Sequence, residues 1–184
     1  MAKYTIDMVL EYAKIFPENA DMGSPDGPRA AQAIHQKGGQ YIVNAYFTDE
    51  DQIEKLVAEG LDLTPMNSQR VLQGNAEFGI GKYMKVKRMV SDVKTFSDKK
   101  TGEPVNVDYG GAPTVVDLTQ GKENKRLWSF SEDGAIGNGT KAKVQFETYA
   151  SGAGVRLMNV GITEHVAYET NSAPTEDDEL FMVG

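Results

Sequence analysis

A run of twenty residues near the middle of the chain, GKYMKVKRMVSDVKTFSDKK, concentrates positive charge and aromatic rings in an acidic protein. Seven of its residues are Lys or Arg and two are Asp, whereas the 184-residue chain carries 19 basic and 27 acidic residues, a net charge of −8. The cations and rings of this run are Lys82, Tyr83, Lys85, Lys87, Arg88, Lys94, Phe96, Lys99 and Lys100. Because charges at moderate salt are screened beyond about 10 Å, such a run can attract anions although the whole chain is acidic.

The spacing within KYMKVKRMV is that of a strand with two different faces. Alternation places Met84 and Val86 on one side and Tyr83, Lys85 and Lys87 on the other. Residues on one side repeat at roughly 6.5–7 Å, comparable with the phosphate spacing of an extended single-stranded nucleic acid. Ammonium groups attract phosphates, and rings stack on unpaired bases with little regard to sequence. The pattern predicts a surface for single-stranded nucleic acid; a solvated edge strand, protected from aggregation by its lysines, is the alternative interpretation.

Two further segments extend this pattern. The turn SDKKTGE joins VKTF to PVNVD in a predicted hairpin, which adds Lys94, Phe96, Lys99 and Lys100 to the surface. In KAKVQFETY, the apolar residues Ala142, Val144 and Phe146 alternate with polar ones. The polar side of that strand offers a second candidate set of the same kind, made of Lys141, Lys143 and Tyr149.

Residues that would carry other chemistry are absent or scattered. The chain has no cysteine, which excludes disulfides, thiol nucleophiles and Cys-ligated zinc. His35 and His165 are its only histidines and lie far apart, although a Ser-His-Asp site could still assemble in space. Neither Gly81-Lys82 nor Gly121-Lys122 is followed by the Ser or Thr of a nucleotide-binding P-loop. The sequence therefore predicts no enzyme, no cofactor and no metal site.

The elements that position these residues are mainly strands. We predict strands in Tyr4–Phe16 and Gln40–Phe47, a loop over Pro17–Gly39, and a predominantly β pattern from Phe78 onward. TDEDQIEKLVAEG predicts a helix that Thr48 caps, Gly60 ends, and whose buried face is Ile53, Leu56 and Val57. The strands KAKVQFETY, which follows the glycine-rich turn GAIGNGT, and VRLMNVGITEHV predict a second hairpin. Five to seven strands and one helix indicate a small β-barrel or sandwich.

The C-terminal residues differ from the rest in composition. After Tyr168 the polar stretch ETNSAPTEDDE predicts a disordered tail, residues 170–184, after a single domain over residues 1–169. An acidic segment with apolar anchors is typical of peptides that dock on basic partners, and a frayed terminus is the alternative. The residues of this predicted docking peptide are Glu176, Asp177, Asp178, Glu179, Leu180 and Phe181.

Three stretches carry a family resemblance. EYAKIFPENADMG looks like a first strand leading to a Phe-Pro-Asn-type loop, IGNGTKAKVQFETYASGAGVRLMNVGITEHVAYE looks like a closing hairpin, and TEDDELFMVG looks like an acidic tail with an aromatic residue. In these stretches the chain resembles the single-stranded DNA-binding proteins of tailed bacteriophages. It departs from them in its short acidic run, in Phe181 lying before the last residue, and in residues 61–77, which have no counterpart.

The resemblance implies an OB-fold-like β-barrel with one or two short helices, and cooperative, sequence-independent coating of single-stranded DNA. It further implies work in phage replication and recombination in the cytoplasm of the infected host, with the tail recruiting polymerase or helicase-primase. The sequence itself has no apolar run that predicts a membrane span or a signal peptide. It leaves open a homodimer and the choice between DNA and RNA. The alternative function is that of an all-β virion structural or decoration protein.

Overall fold

The computed structural model describes residues 2–23 and 37–168 of the chain. This part is mainly β and holds ten strands and two short α-helices. In chain order they are β1 (Lys3–Lys14), β2 (Gln40–Phe47), α1 (Glu50–Ala58), β3 (Leu72–Gln73), β4 (Lys82–Met89), β5 (Val93–Ser97), β6 (Pro104–Asp108), β7 (Thr114–Asp117), β8 (Arg126–Leu127), α2 (Phe130–Asp133), β9 (Thr140–Tyr149) and β10 (Gly154–Glu164).

Eight of the strands form one sheet and two form a separate hairpin. The order in the large sheet is β3-β4-β2-β1-β9-β10-β7-β8, and β5 pairs with β6 alone. Both predicted hairpins are confirmed, because β9 and β10 pair antiparallel from Tyr149 and Gly154 outward, and β5 and β6 pair across the turn at residues 98–103. The count of five to seven strands was too low. The missed strands β3, β7 and β8 are only two to four residues long, too short for an alternating pattern to emerge.

The outer edge of β10 is shared by two strands. Arg156 is in parallel register with Lys87 of β4, and residues 159–162 pair in parallel with β7. The first contact links β1, β2, β4, β10 and β9 in a ring of successive pairings. Strands β3, β7 and β8 extend the same sheet beyond these five strands.

The core lies on the inner face of this sheet. Met84 and Val86 are fully buried whereas Lys85 and Lys87 are exposed, so the predicted alternation of β4 is confirmed. Strand β9 alternates in the same way over its whole length. One hydrophobic cluster contains residues from all five strands of the ring, for example Leu10, Val43 and Phe146. The described residues are thus organised around a single core.

Helix α1 confirms the helix prediction with two corrections. The cap is Asp49, whose Oδ1 accepts a hydrogen bond of 3.0 Å from the backbone NH of Gln52; it is not Thr48. Thr48 instead donates its backbone NH to the Gln52 side chain at 2.8 Å. Leu56 is buried and Ile53 packs on the core, but Val57 is 52% exposed because it lies about 100° around the helix from Leu56.

Residues 61–77 cover one end of the sheet. Leu61 is buried, and Leu63 and Val71 pack against the core. The Gln69 side chain donates to the carbonyl of Lys85 at 2.7 Å, and β3 pairs with the start of β4. This segment therefore protects part of the β4 edge.

Several predictions concern residues outside the described part. They are the middle of the loop over Pro17–Gly39, at residues 24–36, and the tail, including Glu176 to Phe181. Across residues 2–23 and 37–168, no helix has the length and apolar composition needed to cross a membrane.

Candidate nucleic-acid interface

The outer face of β4 carries three of the residues on which the binding prediction rests. Lys85 and Lys87 are exposed, and Tyr83 on the same side is half-buried. Neither lysine forms an ion pair with any described residue, whereas Lys82 pairs with Glu50 of α1. The structure therefore brings two uncompensated ammonium groups together and engages the third lysine at the beginning of the strand.

The ring of Tyr83 is only partly available. It packs on the buried ring of Tyr46 with 4.9 Å between centroids, and Gly74 lies against it so closely that a Cβ there would be 2.7 Å from the ring. Tyr46 is fixed in turn, because its hydroxyl donates to Glu11 at 3.0 Å and accepts from the backbone NH of Asn75 at 2.9 Å. Tyr83 thus forms a packed border of the face rather than a fully exposed platform.

Arg88 lies at the end of β4, on the same inner row as Met84 and Val86. Its guanidinium donates to the carbonyls of Gly110 at 2.9 Å and Leu157 at 3.4 Å, and its Nε is buried. Burial, followed by the nearby Arg156, lowers the pKa of Arg88. Two of its contacts are main-chain carbonyls from other segments, so Arg88 links the end of β4 to β10 and to the segment after β6.

The β5–β6 hairpin projects from the sheet, with all ten of its strand residues exposed. Register places Lys94 opposite Val107 and Phe96 opposite Val105, which puts these four side chains on one face. Lys99 and Lys100 lie in the turn at its tip. The other face includes Thr95, whose hydroxyl contacts Asn106 at 2.7 Å. The hairpin therefore has one face with Lys94, Phe96 and two valines, and one mixed face whose only charged strand residue is Asp108.

Three rings and several cations meet where this hairpin approaches β4 and β10. The guanidinium carbon of Arg156 lies 4.9 Å from the ring centroid of Tyr109 and 5.1 Å from that of Tyr149. Lys94 Nζ is 5.8 Å from the Tyr109 centroid, and the Phe96 ring meets Tyr109 edge-on at 6.3 Å. Phe96 is 48% exposed and Tyr149 38%. The sequence had predicted Lys94, Phe96 and Tyr149 as site residues from separate segments, and the structure places them around one centre.

A groove of about 270 Å³ opens beside these rings. We call it the aromatic groove. Within the described residues, two of its cations are neutralised: Lys37 pairs with Asp92 at 2.8 Å, and Arg156 with Glu147 at 2.7 Å. Lys87 and Lys94 carry no such partner there, and Arg88 adds a third positive charge. The lining residues are Lys37, Lys87, Arg88, Met89, Asp92, Lys94, Tyr149, Val155 and Arg156.

Tyr149 is held as a flat platform at the rim of the aromatic groove. Its register partner across the β9–β10 turn is Gly154, and a Cβ on Gly154 would be 2.4 Å from the Tyr149 ring. The ring therefore lies directly over the glycine backbone. A side chain at position 154 would force the tyrosine away from this position and from Arg156.

The second predicted face on β9 is not brought to the aromatic groove except at Tyr149. Lys143 pairs with Asp7 at 2.9 Å, and Lys141 pairs with Glu164 at 3.4 Å. Eight residues of extended strand separate Lys141 from Tyr149, roughly 26 Å along β9. Lys141 and Lys143 belong to a different, charge-balanced part of the surface.

Sequence reasoning missed Lys37 and Arg156, which line the aromatic groove, and Tyr109, whose ring contacts Arg156 beside it. Arg156 had a detectable signal, since it stands between Val155 and Leu157, both buried, and alternation would turn it outward. Tyr109 follows the hairpin after Asp108, and Lys37 ends a long loop, so neither belongs to an alternating pattern. Their proximity to Arg156 and Asp92 arises from the tertiary fold.

The described residues contain no group of three or more His, Asp or Glu side chains arranged to hold a metal ion. The rings and cations at the aromatic groove can stack on flat groups and attract anions. No protein-family profile matches the chain, and no curated protein matches it either.

Proposed function

We propose that this protein binds single-stranded DNA without sequence preference, using the aromatic groove and the outer face of β4. The observation that carries the proposal is the convergence of Phe96, Tyr109 and Tyr149 with Lys87 and Lys94, which form no ion pair within residues 2–23 and 37–168. Rings offer π-faces to unpaired bases, and ammonium groups offer charge to the backbone. A duplex hides its base faces, so this combination favours a single strand.

The topology supports an OB-type barrel as the scaffold. The ring of pairings runs first, second, third, fifth and fourth strand, if β1, β2, β4, β9 and β10 are numbered in chain order. OB-folds bind oligonucleotides on the face of strands two and three and with the loops that follow strands one and four. Here those positions hold the outer face of β4, Lys37 at the end of the first loop, and Tyr149 at the start of the other. The aromatic groove is thus next to the positions that bind oligonucleotides in OB-folds, which supports the proposal.

The resemblance to phage single-stranded DNA-binding proteins extends the proposal to biology. In that role the protein coats single strands during replication and recombination in the infected cell and acts as a binding protein rather than an enzyme. The acidic segment Glu176–Glu179 and the apolar Leu180 and Phe181 recruit replication proteins such as a polymerase or a helicase-primase.

The direct test is titration of a labelled oligo-dT with purified protein, followed by fluorescence anisotropy. We expect saturable binding to oligo-dT and to a mixed-sequence single strand with similar affinity, and much weaker binding to the corresponding duplex. The matched variants are Tyr149→Ala, expected to weaken binding by roughly 1–3 kcal/mol, and Tyr168→Ala, an exposed tyrosine away from the aromatic groove, expected to have no effect. Absence of binding would instead support the virion structural role.

A further inference from the structure

Arg156 and Glu147 form an ion pair in a nearly buried place, where an ion pair is not expected to add much stability. Both side chains are almost buried, with 11% and 12% of their surface exposed. A buried ion pair loses much of its Coulomb energy to desolvation, and apolar residues of similar volume usually stabilise a protein as well or better. Arg156 also stands close to Arg88, and the two cations disfavour each other. The charge of Arg156 therefore indicates a role other than stabilising the fold.

Arg156 is one of the side chains through which the sheet contacts the hairpin segment. Strands β5 and β6 pair only with each other among the described residues. At the base of the hairpin, Tyr109 donates its backbone NH to Asp92 at 2.9 Å, and Gly110 accepts from Arg88. The ring of Tyr109 packs against the Arg156 guanidinium. The same guanidinium also packs against the ring of Tyr149 of β9. The planar cation bridges a ring of the hairpin segment and a ring of the sheet.

We propose that Arg156 is the positioning residue of the aromatic groove: held by Glu147, its guanidinium bridges Tyr109 and Tyr149 and sets the separation at which these rings receive bases. The inference rests on the proposed function and adds an element that does not itself contact DNA. Arginine suits this role because its flat guanidinium stacks on rings while its N–H groups remain bonded to a carboxylate. Lysine could retain the ion pair but would lose the stacking.

The test compares Arg156→Lys with Arg126→Lys. The control replaces an arginine that is also ion-paired, to Asp133 at 2.8 Å and Asp117 at 3.0 Å, but that does not line the aromatic groove. Each variant is titrated with oligo-dT and with an abasic oligomer of equal length over a series of salt concentrations. Hydrogen exchange of residues 93–109 is measured on the free proteins.

We expect Arg156→Lys to bind oligo-dT about five- to tenfold more weakly, because ring stacking is lost, with the salt slope and the affinity for the abasic oligomer unchanged. Exchange in residues 93–109 should become faster, and Arg126→Lys should match the wild type in every measurement. If Arg156 contacts a phosphate, the slope of log affinity against log salt becomes shallower by about 0.7 in Arg156→Lys, and the affinity for the abasic oligomer falls as much as that for oligo-dT. That result would overturn the inference. Unchanged binding and exchange would overturn it too.

Two further outcomes remain decisive. If the wild-type protein does not bind oligo-dT, the proposed function fails, and the bridge is tested by hydrogen exchange of residues 93–109 alone. Faster exchange in Arg156→Lys then supports the bridge, and unchanged exchange overturns it. If Arg156→Lys does not fold, Tyr109→Leu removes one ring and leaves the Arg156–Glu147 pair intact. It should produce the same faster exchange of the hairpin, and normal exchange would contradict the bridge.

Discussion

At the scale of single residues, the two lysines on the outer face of β4 are the simplest test of the electrostatic part of the interface. Lys85→Glu together with Lys87→Glu should weaken binding to oligo-dT by about tenfold or more, because two phosphate contacts become repulsive. The matched control is Lys122→Glu with Lys125→Glu, an equal charge change in an exposed loop outside the aromatic groove. Anisotropy titration measures both; equal losses in the two double variants would mean that net charge, not position, governs binding.

A second prediction at this scale concerns acid stability. Asp133 accepts two hydrogen bonds of 2.8 Å from the Arg126 guanidinium, and these bonds and one from the Ser129 backbone lower its pKa to about 2. Because the pKa is depressed in the folded state, the stabilisation is complete above the ordinary value of 3.8 and is lost as the pH falls towards 2.

The comparison is the free energy of unfolding in urea for wild type and Asp133→Asn, from pH 6 to pH 2.5. The difference between the two proteins should be largest near pH 6 and should shrink below about pH 4. A difference that stays constant over this range would show that the Arg126 contact does not depend on the charge of Asp133.

Sequence predicts individual residues well where alternation governs them and poorly where tertiary contacts do. The exposure of Lys85 and Lys87 follows from the period of β4, as does the burial of Met84. The stacking of Tyr83 on Tyr46 does not, because it depends on the β2–β4 register and on Gly74 lying alongside. Tyr109 was missed for the same reason: its partners Phe96, Lys94 and Arg156 are remote or lie across a hairpin.

At the scale of elements, the β5–β6 hairpin should be separable from the core. All of its strand residues are exposed, and Val93 and Asp108 already face each other at its base. Replacing residues 94–107 by Asn-Gly would close the base with a two-residue turn. We expect a melting temperature within a few degrees of wild type, and clearly weaker binding of oligo-dT because Lys94 and Phe96 are gone.

The two faces of the hairpin provide the control for that deletion. Lys94→Ala with Phe96→Ala should reproduce most of the binding loss, whereas Thr95→Ala with Asn106→Ala on the opposite face should bind normally. Calorimetry and anisotropy on the same samples separate stability from binding. Normal binding by the deletion variant would remove the hairpin from the interface.

Elements were predictable in proportion to their length. β1, β2, β4, β9 and β10 each have eight or more residues and were found, as was α1 with its acidic first turn. The helix cap was assigned one residue too early because Thr48 and Asp49 are both good caps, and only the geometry distinguishes them. β7 and β8 exist through pairing with β10 and with each other rather than through local preference.

At the scale of the whole molecule, the affinity for single strands should depend on salt in a specific manner. The chain is acidic overall, so attraction must come from the local cations around the aromatic groove and on β4. If four to six of them contact phosphates, the slope of log affinity against log salt should be roughly −3 to −4, at about −0.7 per contact. Titration of oligo-dT at several salt concentrations measures it. A flat response would mean that stacking alone holds the strand.

The acidic segment permits a second test at this scale. Glu176–Glu179 add four negative charges to a chain with a local cationic surface, and they can compete with DNA for it at high effective concentration. Removing residues 176–184 should therefore tighten binding to oligo-dT, chiefly at low salt. A variant with these four acids replaced by Gln and Asn keeps the length and serves as the matched comparison. Equal affinities of all three proteins at low salt would show that the segment does not compete.

The pairing of β1 with β9 also has a consequence for synthesis on the ribosome. One edge of β1 is completed by β2, but its other edge finds its partners about 130 or more residues later in the chain. At a synthesis rate of roughly 5–20 residues per second, that edge stays unpaired for on the order of 10 s until β9 has been synthesised. An unpaired apolar edge is a template for aggregation during such an interval. Lys3, Thr5 and Asp7 alternate along the solvent side of β1. They place polar groups at the N-terminal end of the strand, whose β9 partners are synthesised last.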